Sequence, residues 1–334
     1  PYGRIFHTGD WKLDDAPPLA VPATPEELMA IGDAGVLAMV CDSTNVFNMQ
    51  ASGTEMSVKP GLLQAVQEAP ERVLVTTFAS NAERLKTLGD VARESGRKLC
   101  MAGRSLDRIL KTAQSCGYLT DFPPLLDFNE IMAVPPSEAM VIITGGQGEP
   151  RAALARIAFD SHQVKLDAGD TVIFSSRQIP GNEVAIGRIQ NALAAKGVRM
   201  ITERQAHVHV SGHPGRPELA AMYQWIRPQM LVPVHGELRH MAEQARFAQA
   251  EGIKRTIVQH NGDIIRIAPN GPEKVDETHA GRLALDGDVI LPTNGTTMNE
   301  RRKLMVYGHI SVGLALTSGG KLAGQPDIRL KGVP

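Results

Sequence analysis

The fold class of this chain is indicated by one stretch, Met140-Val141-Ile142-Ile143-Thr144-Gly145-Gly146-Gln147-Gly148-Glu149-Pro150. Its apolar run has the length of a strand, its glycine-rich part is typical of a loop, and helical periodicity follows over residues 150–159. The same order of strand, loop and helix recurs along the chain, which is the pattern of a layered α/β fold. The sequence therefore predicts an α/β architecture.

Further elements are predicted outward from this stretch by the same patterns. The other predicted strands are residues 4–7, 36–40, 72–76, 171–175, 198–201, 206–210 and 230–234. The other predicted helices are residues 59–68, 81–95, 103–116, 182–196, 216–225 and 238–251. The proline-rich stretches 16–25 and 122–136 are predicted to be surface connections, and the chain changes to short β-type runs after about Gly281.

The charge and cysteine content exclude several classes of protein. The 334 residues include 35 Lys plus Arg and 36 Asp plus Glu, so the net charge is -1 and any site for a polyanion must be local. The cysteines Cys41, Cys100 and Cys116 have no Cys-x-x-Cys spacing, which indicates a reducing compartment and argues against a cysteine-ligated zinc. No apolar run approaches the ~20 residues of a membrane helix, so no membrane partner is expected.

Histidines are concentrated in one part of the chain, because five of the ten lie between positions 207 and 240. Alternation along the predicted strand 206–210 places His207, His209 and Ser211 on one face. His213 and His235 follow apolar runs, where α/β folds place their sites, and we interpret both as functional. For His207 and His240 we predict ordinary structural hydrogen bonds.

Carboxylates and loops at other strand ends are further candidates. Asp10 and Asp42 each close an apolar run, so each either caps a turn or belongs to a site. The loop 144–150 and the loop Ser175-Ser176-Arg177-Gln178-Ile179-Pro180-Gly181-Asn182-Glu183 lead into helices and offer backbone N–H groups to a phosphate. Neither is a Walker loop, and ordinary connecting turns are the alternative for both.

Several motifs, taken in order, resemble the ribonuclease J family, in the β-CASP branch of the metallo-β-lactamase superfamily. The motifs are His7-Thr8-Gly9-Asp10-Trp11-Lys12, Asp42-Ser43-Thr44-Asn45, Gly145-Gly146-Gln147-Gly148-Glu149-Pro150, Ile179-Pro180-Gly181-Asn182-Glu183, Ser211-Gly212-His213 and Pro233-Val234-His235-Gly236-Glu237. Each motif alone is weak, but their joint, ordered occurrence over nearly the whole chain is specific.

The resemblance implies a domain organisation. A partial metallo-β-lactamase αββα sandwich is expected over residues 1–52, interrupted by a β-CASP α/β domain over residues 53–210. The first domain is expected to resume over residues 211–280, and residues 281–334 are expected to be a linker and the start of a small β-rich C-terminal domain. The chain opens on Pro1 rather than Met, so we expect a fragment that lacks both ends of its parent protein.

The resemblance also implies roles for individual residues. Asp10 matches the carboxylate that bridges two metal ions, and His235 matches a ligand of the second ion. Asp42 is expected to orient groups at the scissile phosphate, and His213 is expected to contact that phosphate and assist departure of the leaving oxygen. The residues expected to bind RNA phosphates are Ser211, Gly212, His209, Gly146, Gln147, Ser175 and Ser176.

One motif of the family, His-x-His-x-Asp-His, does not occur in these residues. In the family it lies upstream of the position of Asp10 and supplies most ligands to a pair of zinc ions, with Mg²⁺ or Mn²⁺ as other candidate ions. A zinc site needs three or four protein ligands, whereas Asp10 and His235 supply two. The chain as given is therefore not expected to hold the dinuclear centre tightly.

The function implied by the resemblance is that of a cytoplasmic, metal-dependent ribonuclease acting on single-stranded RNA in RNA decay and maturation. It is expected to cleave as a 5′-to-3′ exonuclease, an endonuclease or both, through a water activated by two zinc ions, and to form homodimers or homotetramers when intact. One alternative is a β-CASP subunit that binds RNA or assembles with partners without catalysis. A hydrolase of small molecules is a second alternative, which the motifs around Asp42 and His213 disfavour.

Overall fold

The structure, a computed structural model, describes residues 2–333 and divides into two compact units, Pro1–Val258 and Gln259–Pro334. In the first unit, parallel strands alternate with helices, so the predicted α/β class is confirmed. The strands of this unit are β1 (Ile5–His7), β2 (Ala38–Asp42), β3 (Val73–Thr76), β4 (Lys98–Ala102), β5 (Ala139–Ile143), β6 (Thr171–Phe174), β7 (Arg199–Ile201), β8 (Met230–Val234) and β9 (Arg255–Thr256). Its helices are α1 (Pro25–Asp33), α2 (Val58–Gln67), α3 (Ala82–Glu94), α4 (Arg104–Ser115), α5 (Phe128–Ala133), α6 (Ala153–Ala158), α7 (Glu183–Ala195), α8 (Arg216–Ile226) and α9 (Leu238–Ala250).

The first sheet has the strand order β1-β2-β8-β9, with all pairs parallel. Its register places His7 opposite Val40 and Asp42 opposite Val234, so the carboxyl ends of β1, β2 and β8 meet at one edge. A buried apolar cluster that includes Met39 on β2 and residues of α1 and α8 packs against this sheet. The loops that follow β1, β2 and β8 are thereby brought together.

The second sheet has the strand order β4-β5-β3-β6-β7, again with all pairs parallel. Every residue of β3, β5 and β6 is buried, as expected for parallel strands covered by helices on both faces. Two buried apolar clusters, built from these strands and the surrounding helices, form the core of this part of the unit. Because the strands are parallel, their following loops again share one edge.

The predicted strand 206–210 is wrong, because these residues join no sheet. The carbonyl of Val208 accepts hydrogen bonds from the Ser175 hydroxyl at 2.7 Å and from Arg84 Nη1 at 3.4 Å. Side chains therefore supply the partners that a neighbouring strand would have supplied. Burial still alternates, with Val208 and Val210 inside, which explains why the segment has a strand-like pattern.

Helices α1 and α5 and strands β4 and β9 of the first unit were not predicted. Helices α1 and α5 lie at or within the proline-rich stretches that we predicted to be connections. Both begin with a capping box, formed by Thr24 with Glu27 and by Asp127 with Glu130, which is a recognisable signal of a helix start. Strand β4 was missed because its short run, Lys98 to Ala102, lacks β-branched residues.

The second unit consists of three antiparallel hairpins and a helix. The strands are β10 (Asp263–Arg266), β11 (Glu273–Glu277), β12 (Leu283–Asp286), β13 (Val289–Pro292), β14 (His309–Gly313) and β15 (Asp327–Lys331), and the helix is α10 (Thr296–Tyr307). The β-type texture predicted after Gly281 is present, but α10 was not predicted. The proposed boundaries at residues 52, 210 and 280 stay predictions. Over residues 2–333, every helix is too short or too polar to cross a membrane.

Arg97 stabilises the amino-terminal side of the second sheet through hydrogen bonds to backbone carbonyls. This arginine is 8% exposed, and its guanidinium donates to the backbone carbonyls of Val66, Ala69, Glu71, Pro136 and Ala139. Arg97→Met removes these donors, so each of the five carbonyls loses a hydrogen bond at a site where water is largely excluded. We expect the free energy of unfolding to fall by about 2–4 kcal/mol, measured by urea denaturation.

The matched control for Arg97→Met is Arg188→Met, because Arg188 is an exposed residue of α7. Substitution at such a surface site is expected to change stability by less than ~0.5 kcal/mol. Equal urea midpoints for the two variants would show that the carbonyls around Arg97 do not depend on its guanidinium.

Candidate active site

Four side chains with metal-binding or acid-base chemistry converge where β1, β2 and β8 end. The candidate ligand atoms of Asp10, Asp42, His213 and His235 all lie within 4.8 Å of one another. These residues come from positions far apart in the sequence, and the parallel register of the first sheet brings three of their loops to the same edge. The structure thus joins into one cluster the four residues that we singled out as catalytic or metal-binding.

Asp42 and His213 form the buried side of this cluster. The Asp42 side chain is fully buried at the end of β2, and its Oδ2 lies 2.6 Å from His213 Nδ1. Asp42 Oδ1 accepts a hydrogen bond from the Thr44 N–H at 2.8 Å. Asn45 Nδ2 donates to the His213 carbonyl at 3.3 Å, and the His213 N–H donates to Ser211 Oγ at 3.1 Å. Backbone and ring of His213 are therefore both held in place.

His235 and Asp10 form the exposed side of the cluster. His235 Nδ1 lies 3.4 Å from Asp10 Oδ1, 3.4 Å from Asp42 Oδ1 and 2.9 Å from Thr44 Oγ1. The backbone of His235 has a φ of 57°, an unusual conformation for a residue other than glycine and one often found at functional sites. The side chains of His235 and Asp10 are 52% and 62% exposed, so the cluster opens to solvent on this side.

The electrostatics of the pair Asp42 and His213 follow from their contact. Burial alone would raise the pKa of Asp42, but hydrogen bonds from His213 and Thr44 outweigh it and lower that pKa. The hydrogen bond to Asp42 raises the pKa of His213 against the opposing effect of burial. An ionised Asp42 therefore favours a proton on His213 Nδ1 and leaves the Nε2 side of the ring for a ligand or substrate.

Glu218 is a structural residue of the site that the sequence reasoning missed. Its buried carboxylate accepts hydrogen bonds from the N–H groups of Leu13, Ser52 and Gly215 and from the Ser52 hydroxyl, at 2.6–3.1 Å. It thereby fixes the loop after Asp10 to the start of α8, which follows His213. A usable signal was Glu218 itself, at the third position of a helix beginning with Arg216-Pro217.

The predicted phosphate-binding residues lie in several places. Ser211 and Gly212 adjoin His213, and a Cβ on Gly212 would meet nothing within 4 Å, so the chain is open to solvent there. His209 is largely buried, and burial together with Arg84 and Arg177 lowers its pKa to about 3. The ring of His209 is therefore neutral at physiological pH.

Gly146, Gln147, Ser175 and Ser176 lie at the carboxyl edge of the second sheet and are not members of the four-residue cluster. Gln147 links two loops, because its amide donates to the Arg177 carbonyl and accepts from the Ile179 N–H. The Ser175 hydroxyl is buried between Val208 and Arg84. The Ser176 hydroxyl has no hydrogen-bond partner within residues 2–333, and it faces Gly146.

His207 and His240 make hydrogen bonds outside the cluster. His207 Nε2 lies 2.9 Å from Ser57 Oγ, and His240 Nδ1 accepts from the Glu237 N–H at 3.2 Å. Both contacts are of the structural kind that the sequence predicted for these two residues.

Two protein-family models match this chain. Residues 70–193 match the model described as "Ribonuclease J, beta-CASP domain", and residues 197–258 match "Zn-dependent metallo-hydrolase RNA specificity domain". The first match contains four of the five strands of the second sheet, β3 to β6, and the second match contains β7, His213 and His235. Together with the parallel sheets, these matches define a protein of the metallo-β-lactamase/β-CASP fold.

Curated relatives narrow the class further. Ribonuclease J of Sinorhizobium meliloti is 43% identical over 99% of this chain and 59% of its own length. Ribonuclease J of Corynebacterium glutamicum is 36% identical over 99% of this chain and 47% of its own length, and Ribonuclease J2 of Bacillus subtilis is 32% identical over 99% and 60%. These matches support a member of the ribonuclease J family, and the chain spans about half to three fifths of the length of these relatives.

The cluster suits a divalent metal ion, because imidazole nitrogens and carboxylate oxygens are ligands of zinc and of harder divalent ions. We expect isothermal titration of this chain with Zn²⁺ or Mn²⁺ to detect an ion at the cluster. Asp10→Ala and His235→Ala are each expected to weaken that binding at least ~10-fold, since each removes a ligand.

The matched control for the metal titration is His260→Ala, because His260 is an exposed histidine of the second unit. The affinity of the His260→Ala variant for the ion should equal that of the unsubstituted chain. A metal affinity that is unchanged in Asp10→Ala and His235→Ala, or lowered equally in His260→Ala, would place the ion elsewhere.

Proposed function

We propose that this chain carries part of the active site of a metal-dependent ribonuclease that hydrolyses phosphodiester bonds of single-stranded RNA. The observation that carries the proposal is the convergence of Asp10, Asp42, His213 and His235, with the buried Asp42 bonded to His213. The family membership supports the same reaction. Cleavage from the 5′ end, internal cleavage or both are included in the proposal.

Asp10 and His235 are the residues that we propose hold metal, with Asp42 Oδ1 close to His235 on the buried side. Two zinc ions are proposed for the complete site, with Mg²⁺ or Mn²⁺ as other ions of suitable charge. A bound divalent ion supplies Lewis acidity, which lowers the pKa of water and offsets negative charge on the phosphate. Thr44 and Asp42 hold the His235 ring, which otherwise stands in solvent, in a defined orientation.

His213 is proposed to act on the scissile phosphate. Asp42 Oδ2 accepts a hydrogen bond from His213 Nδ1–H, which fixes the tautomer and directs Nε2 away from the buried carboxylate. A protonated His213 can donate a hydrogen bond to a phosphate oxygen or a proton to the departing oxygen. Asp42 serves as a positioning residue, since its side chain is fully buried and its oxygens are occupied by protein groups.

RNA is proposed to reach the cluster past Ser211 and Gly212 and along the loops that contain Gly146 and Ser176. Arg177 lies on one of these loops, with a side chain that is 52% exposed and 3.4 Å from Glu203 Oε2. A net charge of -1 is compatible with such a path, because a channel can concentrate phosphate-binding groups locally. We further propose a cytoplasmic location and a dimeric or tetrameric state for the whole protein.

The role of His213 is tested with the complete product of the reading frame that encodes this chain. His213→Ala and Asp42→Asn are each expected to lower the rate of RNA hydrolysis at least ~10²-fold, as expected for loss of an acid-base group or its orienting partner. Binding of a single-stranded oligoribonucleotide should weaken far less than the rate, because most phosphate contacts remain. His279→Ala, at an exposed position of the second unit, is the control.

Each outcome of the hydrolysis assay discriminates between functions. Near-full activity of both variants would show that neither His213 nor Asp42 takes part in the hydrolysis. RNA binding without hydrolysis in the unsubstituted protein, at saturating metal, would instead favour the non-catalytic subunit.

A further inference from the structure

A cavity of about 1220 Å³ opens at the carboxyl edge of the second sheet, on the side of β4 and β5. Its walls are the loops that follow β3, β4, β5 and β6 together with the first turns of α4. In open parallel α/β sheets, ligands bind in crevices outside the carboxyl ends of the strands. Gly146, Gln147 and Ser176 line one end of it, and its remaining lining has no role in the proposed hydrolysis.

Arginines dominate the charge of this cavity. Arg104, Arg108 and Arg151 line it, and none of their three guanidinium groups has a hydrogen bond or ion pair to another residue within 2–333. Arg104 and Arg108 are four positions apart on α4, so their Cβ atoms are about 5–6 Å apart on one helix face. Arg156 adds a fourth guanidinium, which donates to the Ser161 carbonyl.

None of the carboxylates of the lining forms an ion pair with these three arginines, and each is bonded elsewhere. Asp107 pairs with Lys111 at 2.9 Å, and Asp127 accepts from two N–H groups at the start of α5. Glu149 accepts from the Gln147 N–H at 3.1 Å. The three unpaired guanidinium groups therefore remain available to an anion from solvent.

The start of α4 also favours an anion in this cavity. Gly103 precedes the helix with a φ of 151°, and no side chain caps the first N–H groups of α4. A helix N-terminus of this kind favours a negative group. An independent sign of a missing partner is the Ser176 hydroxyl in the same lining, on a residue that is 7% exposed and has no hydrogen bond within the described residues.

The cavity also has an apolar wall, formed by Phe78, Met101, Leu125 and Phe128. Phe78 and Leu125 are 38% and 37% exposed, so both offer surface to a ligand. Aromatic and aliphatic surfaces of this kind stack against a planar nucleobase. A single ligand that uses both walls would have a flat apolar part and a densely charged anionic part.

We propose that this cavity binds a nucleoside polyphosphate, with the phosphates at Arg104, Arg108, Arg151 and the start of α4 and the base on the apolar wall. Several guanidinium groups around one helix terminus match phosphates joined directly to each other, whereas successive RNA phosphates are separated by a ribose. Arginine is also the side chain best suited to bidentate phosphate contacts. The cavity shares Gly146 and Ser176 with the RNA path proposed above, whereas Arg104, Arg108 and Arg151 have no part in that path.

The test is isothermal titration of the chain with ATP at low ionic strength in the presence of EDTA, which keeps the metal cluster out of the experiment. The double variant Arg104→Ala, Arg108→Ala is expected to bind ATP at least tenfold more weakly. Arg188→Ala, which removes an exposed arginine from α7, should bind ATP as the unsubstituted chain does. Phe78→Ala should weaken ATP but leave tripolyphosphate unchanged.

Titrations with other phosphate-containing ligands distinguish a nucleoside polyphosphate from a nucleoside monophosphate and from RNA. Weaker binding of AMP and adenosine than of ATP supports the proposal, and equal binding of AMP and ATP overturns it. If a single-stranded oligoribonucleotide displaces ATP and loses affinity by the same factor in the double variant, the cavity belongs to an RNA path and the proposal is wrong. Loss of hydrolysis in His213→Ala has no bearing on this titration, so the two proposals fail separately.

Discussion

The buried ion pair between Arg84 and Glu55 is the contact on which the arrangement of the first unit depends. Arg84 is 1% exposed, and its guanidinium binds the Glu55 carboxylate, the Ser175 carbonyl and hydroxyl, and the Val208 carbonyl. Glu55 and Val208 lie close to the predicted start and end of the β-CASP segment. One side chain on α3 therefore holds both crossings of the chain between the two sheets. Removing either partner would leave an uncompensated buried charge, which is strongly destabilising.

The cluster of catalytic candidates depends in turn on a second buried acid. Asp42 occupies the last position of β2, where its side chain is excluded from water and its oxygens meet His213, Thr44 and His235. A carboxylate in that position is tolerated only because donors surround it. The same donors give His213 and His235 fixed orientations before any substrate or ion arrives, and such preorganisation is the basis of catalysis by charged side chains.

Sequence reasoning predicted the fold class and the strand-end positions of the four clustered residues for a physical reason, whereas the roles of Asp10 and Asp42 came from the family resemblance. Strand ends such as Asp42 and His235 follow apolar runs that are visible in the sequence, and parallel sheets bring such ends together. It failed where a partner far away in the sequence decides the structure. Residues 206–210 have strand-like alternation, but Arg84 and Ser175 bind the Val208 carbonyl in place of a neighbouring strand. The role of Glu218 depends on the N–H groups of Ser52 and Leu13, 166 and 205 positions away. Periodicity carries no information about such partners.

A net charge of -1 conceals two groups of side chains with opposite charge, and the topology explains how both arise. Because the strands of each sheet are parallel, the loops that follow them lie at one edge of that sheet, together with the side chains on those loops. At the first edge these side chains include Asp10 and Asp42, which favour a cation, and at the second they include Arg104, Arg108 and Arg151, which favour an anion. The composition of the chain averages the charges at both edges. Only the pairing of the strands shows that the acidic and the basic side chains lie at different edges. Composition alone therefore excludes a basic surface over the whole protein, but it carries no information on a local site for phosphate.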